Sequence, residues 1–203
     1  KDLISSSEAK AILPPSGAVQ FISDWSNGPE GTFIIYQDFT PATRSDLMRV
    51  AVSGDGTPQR LVDTPFDDTD GVVSGDGKWL AYVSTESGRN EVYLRGVSMG
   101  SERLRVSTAG GLSPRWRRDS RELYYLATAS TMVFGATVPD GRLMAVAISP
   151  DGRPGVPTPL FSVLARGSQY DTKDGQRFLV NVENRGASLP ITVDLNWTTR
   201  LRR

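Results

Sequence analysis

Four times along its 203 residues, the chain repeats a short polar turn followed by a strand of aromatic and aliphatic residues. The clearest copy is residues 74–82, in which Ser-Gly-Asp-Gly-Lys precedes Trp-Leu-Ala-Tyr. Taking Glu30, Asp76, Asp119 and Asp174 as equivalent positions gives steps of 46, 43 and 55 residues. This period is typical of β-propeller blades, so we predict an all-β fold of four-stranded antiparallel blades.

Apolar and polar residues alternate on both sides of each turn, which predicts four strands per copy. The predicted blades cover approximately residues 19–64, 71–108, 113–163 and 168–197. An extra segment, residues 128–139, accounts for part of the longest step. We therefore predict about four blades in a single domain, or a fragment of one, across residues 1–203.

The fourth copy ends after three predicted strands, and residues 1–7 resemble the outer strands of the first and second copies. Two hypotheses follow. In the first, residues 1–7 complete the fourth blade and close a four-bladed ring. In the second, they belong to a preceding blade, and the chain is an arc of a ring with six or more blades. An arc has exposed blade edges, which favour self-association. The sequence leaves both hypotheses open.

Composition excludes several classes of function. Lysine plus arginine equals aspartate plus glutamate, at 23 each, so we expect no nucleic-acid partner. No apolar run is long enough to span a membrane, so we expect no membrane insertion. Histidine and cysteine are both absent, which removes Ser-His-Asp triads, Cys-His dyads and imidazole metal sites. We predict no catalytic residue, metal or cofactor, and therefore that the chain is not an enzyme.

Aspartates at short spacing raise the question of calcium binding. Asp-Gly pairs begin at Asp55, Asp76, Asp140, Asp151 and Asp174. A full blade separates most of these carboxylates, whereas calcium needs six to eight oxygens in one place, so hairpin turns are the favoured interpretation. A denser acidic loop holds Asp63, Asp67, Asp68 and Asp70. We interpret this loop as solvated rather than metal-binding.

The best candidate for a binding site is a cluster of arginines around Trp116. Arginines beside a tryptophan can bind phosphate, carboxylate or stacked bases, and the arginines here are Arg115, Arg117 and Arg118. Trp116 takes the place of Trp25 in the blade pattern, so we expect it to pack between blades. The three arginines alternate around it and should emerge near the central channel or a rim, where we predict that they bind a partner.

Several segments resemble a known family. Residues 79–93, WLAYVSTESGRNEVY, and residues 121–126, RELYYL, are similar to the TolB-like (WD-like) propeller repeats of bacteria. Residues 174–181, DGQRFLVN, and 190–198, PITVDLNWT, resemble the C-terminal end of propellers attached to bacterial serine/threonine protein kinases. The resemblance implies a ring of six or more blades in the periplasm or outside the cell. It also implies that any kinase domain lies outside this chain.

Two functions are compatible with these features. The favoured hypothesis is a non-catalytic interaction or sensor module whose loops bind a protein, peptide or small ligand. The alternative is a propeller hydrolase or lyase, or the substrate-gating domain of a serine peptidase. That alternative calls for carboxylates converging within about 10 Å at the mouth of the channel.

Overall fold

We describe a computed structural model of the chain, covering residues 11–13, 17–40, 44–98, 100–127, 141–163, 165–182 and 193–195. These residues form β-strands and turns. None of the elements that they form is a helix long and apolar enough to cross a membrane. Two predicted features, the strand at residues 1–7 and the extra segment at residues 128–139, lie outside the described residues.

Four antiparallel sheets follow one another along the chain. The first consists of β1 (Val19–Gly28), β2 (Gly31–Thr40), β3 (Arg44–Ala51) and β4 (Gln59–Arg60). The second consists of β5 (Asp68–Val73), β6 (Trp79–Ser84), β7 (Glu91–Gly96) and β8 (Arg103–Arg105). The third consists of β9 (Leu112–Trp116), β10 (Glu122–Ala127), β11 (Gly141–Ala147) and β12 (Thr158–Val163). The fourth contains β13 (Ala165–Thr172), β14 (Arg177–Val182) and β15 (Val193–Leu195).

Within each sheet, every strand pairs with the next one in the sequence. This up-and-down order, repeated from sheet to sheet, is the arrangement of propeller blades. The predicted fold class is confirmed: the described part of the chain is an all-β, partial propeller with three four-stranded antiparallel sheets and a fourth sheet of three described strands. The assignment of residues 1–203 to a single domain stays a prediction.

The sheets pack face to face in sequence order. The innermost strands lie side by side, with β1 against β5, β5 against β9, and β9 against β13. Between the first two sheets the core contains Ile35, Leu47, Leu61, Val62, Leu80, Tyr82 and Tyr93. Between the third and fourth sheets, the ring of Tyr124 meets that of Phe178 edge to face at 5.2 Å. The alternation of the strands thus supplies an apolar layer on each side of every inner sheet.

Two of the predicted Asp-Gly pairs, at Asp76 and Asp174, build hairpin turns, whereas Asp140 lies outside the described residues. Asp76 Oδ1 accepts hydrogen bonds from the Ser74 hydroxyl at 2.6 Å and the Lys78 N–H at 3.2 Å. In the fourth sheet, Asp174 Oδ1 accepts the N–H groups of Gln176 and Arg177 at 2.9 and 3.0 Å. These carboxylates are therefore occupied by local donors from the backbone and the Ser74 hydroxyl, which is the chemistry of a tight turn.

The third sheet has Ser120 where the other turns have glycine. Ser120 adopts the left-handed backbone, with φ of 61°, as do Gly77 and Gly175 at the equivalent positions. Its hydroxyl also accepts the N–H of Asp76 from the neighbouring sheet at 3.1 Å. The strain of a left-handed serine is thereby offset by a hydrogen bond that glycine could not form.

Gly175→Ala tests the packing between the third and fourth sheets, with Gly88→Ala as its control. Both glycines have positive φ, at 69° and 88°, so both alanines should lose about 1–2 kcal/mol of unfolding free energy to backbone strain. A Cβ at Gly88 meets nothing within 4 Å, whereas one at Gly175 would overlap the Tyr124 hydroxyl. We expect Gly175→Ala to lose about 3 kcal/mol or more in urea unfolding. Equal losses of unfolding free energy in the two variants would contradict the close contact between Gly175 and Tyr124.

Candidate functional site

Each innermost strand is interrupted by a register shift. The shifts follow Ile22 in β1, Thr69 in β5, Leu112 in β9 and Ala165 in β13. Such bulges bend a strand and redirect its side chains. Asp70 and Ser113, both within these interruptions, have left-handed backbones with φ of 51° and 50°. Strained backbone of this kind is concentrated at functional sites in proteins.

One polar residue from each inner strand contributes to a cluster at the centre of the described sheets: Asp24, Asp70, Arg115 and Tyr170. Arg115 is half-buried in β9. Its guanidinium carbon lies 6.0 Å from the centroid of the Tyr170 ring, and its Nη1 donates to the carbonyl of Pro114 at 2.7 Å. No carboxylate of the described residues forms an ion pair with it. Arg115 is therefore a half-buried cation without a direct counter-ion in this part of the chain.

Two aspartates lie in the field of Arg115. Burial raises the pKa of Asp24, while hydrogen bonds from Val73 and Trp25 and the charge of Arg115 oppose the increase. Burial also raises the pKa of Asp70, opposed by the Arg115 charge and a backbone hydrogen bond from Ser113. The positive charge of Arg115 is thus felt by carboxylates from two other sheets without being neutralised by direct contact.

Tyr170 supplies an unused hydrogen-bonding group. Its side chain is only 5% exposed, and its hydroxyl has no hydrogen-bond partner among the described residues. Burial raises the pKa of this hydroxyl, and the charge of Arg115 opposes that effect. A buried hydroxyl without a partner loses about 1–3 kcal/mol of stabilisation. The guanidinium presents donors suited to an external acceptor such as a carboxylate, and the buried phenol beneath it keeps an unused donor.

Arg117, the second predicted binding residue, is occupied by its own sheet. Its Nε and Nη2 donate to the two carboxylate oxygens of Asp119 at 2.8 and 2.9 Å, and its Nη1 donates to Glu122 at 2.8 Å. The hydrogen bonds to Asp119 raise the pKa of the guanidinium. Glu122 also accepts the Tyr124 hydroxyl at 2.5 Å. This network holds the turn between β9 and β10 and leaves Arg117 little capacity for a ligand.

Arg118, the third predicted residue, is exposed in the same turn. Its backbone N–H donates to the carbonyl of Lys173 in the fourth sheet at 3.2 Å. Its side chain forms no ion pair with another described residue. Of the three arginines, only Arg115 therefore reaches the central cluster.

The acidic loop separates into four different environments. Asp63 pairs with Arg60 at 3.3 Å, and Asp67 lies 3.6 Å from Arg44. Asp68 is fully buried and accepts the Thr64 hydroxyl at 2.6 Å. Asp70 alone joins the central cluster. Sequence reasoning missed Asp24 and Tyr170 as site residues; the signal that could have identified Asp24 is that it is the one charged residue of β1.

Comparison with known proteins shows the fold. No protein-family model matches the chain, and no curated protein matches it. Among solved structures, putative TolB from Agrobacterium tumefaciens is 18% identical with a TM-score of 0.62, over 77% of this chain and 53% of that one. Oligogalacturonate lyase in complex with manganese is 13% identical with a TM-score of 0.60, over 94% and 54%. The chain spans about half the length of these two proteins and shares a TolB-like propeller fold with them.

The comparison corrects one prediction. The absence of histidine and cysteine predicts that the chain is not an enzyme. Besides the lyase, the similar structures include tricorn protease, 15% identical with a TM-score of 0.52 over 88% of this chain and 22% of that one. Enzymes therefore use this fold, and the prediction is wrong. Carboxylates and phenols also perform acid–base chemistry, so the missing residue types do not exclude catalysis.

Asp70→Asn should change how stability depends on pH. The raised pKa means that wild-type stability falls as pH rises from the ordinary value of 3.8 through the folded-state value. The stability of Asp70→Asn relative to wild type, measured by urea unfolding, should therefore increase as the pH rises above about 4. Asp174→Asn is the opposite control, because hydrogen bonds from Gln176 and Arg177 lower the pKa of Asp174. The loss of stability in Asp174→Asn relative to wild type should be complete above pH 4 and should become smaller below pH 4. If the stability of both variants relative to wild type changed with pH in the same direction, the opposite pKa shifts of Asp70 and Asp174 would be contradicted.

Arg117→Gln and Arg118→Gln should separate the structural arginine from the exposed one. Loss of the Arg117 hydrogen bonds should lower the unfolding free energy by about 1–2 kcal/mol. Arg118→Gln should change it by less than about 0.5 kcal/mol, as is usual at exposed positions. Thermal and urea unfolding measure both. Equal effects would show that the network around Asp119 contributes no stability.

Proposed function

We propose that this propeller binds a protein, peptide or small ligand at its centre, with Arg115 holding an anionic group of the ligand. The observation that carries the proposal is the half-buried guanidinium of Arg115, which forms no ion pair with the described residues. It lies 6.0 Å from the centre of the ring of Tyr170, whose hydroxyl has no hydrogen-bond partner among those residues. An entering acceptor could take hydrogen bonds from the guanidinium. Charge-assisted bonds to a guanidinium are roughly twice as strong as neutral ones.

The neighbouring charges favour a carboxylate over a phosphate. Asp24 and Asp70 both interact with Arg115 and reduce the positive potential at the site. A phosphate monoester carries up to two negative charges at neutral pH and would be repelled more strongly by these aspartates. A carboxylate carries one charge and matches the planar guanidinium in a bidentate arrangement. The ligand class that fits best is therefore a monovalent organic acid or a peptide carboxylate.

A catalytic role at the same centre is the second candidate. It includes hydrolysis, elimination, or control of substrate entry to a peptidase. The observation in its favour is the raised pKa of Asp70, because a carboxyl group that keeps its proton at higher pH is better suited to act as a general acid. Product analysis on a ligand that binds wild-type protein distinguishes the two roles. New products whose formation is lost in Asp70→Asn would favour catalysis.

A more specific proposal concerns the protein to which this propeller belongs. The likeness of residues 174–181 and 190–198 to kinase-attached propellers supports a role as the C-terminal sensor of a receptor-like kinase, outside the cytoplasm. This role requires a kinase domain beyond this chain. Autophosphorylation of the full-length protein, measured with and without a bound ligand, tests it. A full-length protein lacking kinase activity would remove this part of the proposal.

Arg115→Gln tests the binding role directly. The probe is a pool of N-acetylated tripeptides with free carboxyl groups, and binding is measured by calorimetry. Loss of a charge-assisted hydrogen bond should weaken binding by about 10- to 100-fold. Arg121→Gln, at an exposed position in the turn after β9, is the matched control and should bind like wild type. Wild-type affinity in Arg115→Gln would overturn the proposal.

A further inference from the structure

An exposed apolar patch lies on the first sheet. Val19, Phe21 and Phe39 are 54%, 38% and 41% exposed. Val19 pairs with Phe39 across β1 and β2, and Phe21 pairs with Gln37. Because side chains alternate along a strand, these three apolar residues share one face of the sheet. It is the face that also carries Ile35 and packs against the second sheet.

Contacts connect this patch to the central cluster. The side chain of Gln37, opposite Phe21, accepts the backbone N–H of Asp70 at 3.4 Å. Asp70 in turn lies in the field of Arg115. The patch therefore adjoins the site on the side of Asp70, at the junction of the first and second sheets. A ligand anchored at Arg115 and extending in this direction would reach the patch.

Other exposed apolar residues do not share this position. Ile22 and Trp25 are opposite Tyr36 and Ile34, on the other face of the first sheet. Val156 is 87% exposed but belongs to the loop between β11 and β12. Isolated exposed apolar residues are common on protein surfaces, whereas contiguous ones next to polar groups mark binding sites. Val19, Phe21 and Phe39 are the contiguous group that borders the cluster.

We infer that the ligand is an extended peptide with a free C-terminal carboxylate on Arg115 and an apolar side chain on this patch. The inference rests on the proposed function and narrows its ligand class. The positive charge of Arg115 favours a carboxylate, and the three apolar residues of the patch favour an apolar side chain close to that carboxylate. The Gln37–Asp70 hydrogen bond joins the patch to the cluster, and an extended chain advances about 3.3–3.6 Å per residue, so we place the apolar side chain among the last few residues.

Three peptides separate the two contacts: acetyl-Ala-Phe-Ala with a free carboxylate, the same peptide as its amide, and acetyl-Ala-Ser-Ala with a free carboxylate. Calorimetry with the wild-type protein should give the tightest binding for the first. The amide should bind at least 10-fold more weakly, because it cannot form the charged contact. The serine peptide should also bind about 10-fold more weakly, because it cannot bury an aromatic ring.

Phe21→Ser and Phe39→Ser should reduce the preference for the phenylalanine peptide over the serine peptide towards one. Val156→Ser removes a more exposed apolar side chain elsewhere and should retain the full preference. Circular dichroism and urea unfolding verify that each variant is folded. Light scattering reports whether the two phenylalanine variants change the oligomeric state.

The outcomes distinguish this inference from the proposed function. If acidic peptides bind through Arg115 but phenylalanine and serine peptides bind equally, the inference is overturned and the proposed function stands. If no acidic peptide binds, or Arg115→Gln binds like wild type, both fail. If the phenylalanine variants turn a dimer into a monomer without changing peptide affinity, a second copy covers the patch and the inference is overturned.

Discussion

Hydrogen bonds between the inner strands of neighbouring sheets position everything at the centre of this molecule. The Ser23 hydroxyl donates to the carbonyl of Gly71 at 2.7 Å, and Asp24 Oδ2 accepts the N–H of Val73 at 2.8 Å. Both bonds leave the first sheet and end on the innermost strand of the second. Apolar packing alone would let the sheets slide, whereas directional bonds fix their register. The relative placement of the central polar residues depends on this register.

The same bonds explain why a cluster with unfavourable local features persists. Asp70 and Ser113 have left-handed backbones, and the Tyr170 hydroxyl is buried without a partner in the described structure. Each such feature reduces stability by about 1–3 kcal/mol and survives only where the surroundings determine the conformation. Here the packed sheets around the cluster hold these residues in their conformations. Strain gathered at one place, and offset by regular structure around it, is the pattern expected of a binding site.

The repeat predicted the order and pairing of the sheets because strand alternation and Asp-Gly turns are local properties of the sequence. It also correctly assigned Trp116 to the junction between sheets, where the indole N–H donates to the Val72 carbonyl at 3.2 Å. It did not identify Asp24 or Tyr170, because each inner strand contains a bulge. A bulge shifts the alternation by a residue and so changes which side chains face the centre. Arg115 and Arg117 differ for a related reason: β9 ends at Trp116, so Arg117 belongs to the turn.

The chemistry available at the centre follows from three kinds of side chain. A guanidinium, a phenol and carboxylates can bind an acid through hydrogen bonds, and a carboxyl group with a raised pKa can also transfer a proton. Asp24 is less suited to proton transfer, because each of its oxygens accepts a backbone N–H at 2.8 Å. Asp70 has one such backbone hydrogen bond, from Ser113, and is therefore better suited to proton transfer. Recognition would therefore depend on Arg115 and Tyr170, whereas any acid catalysis would depend on Asp70. The two candidate functions use the same centre but different residues within it.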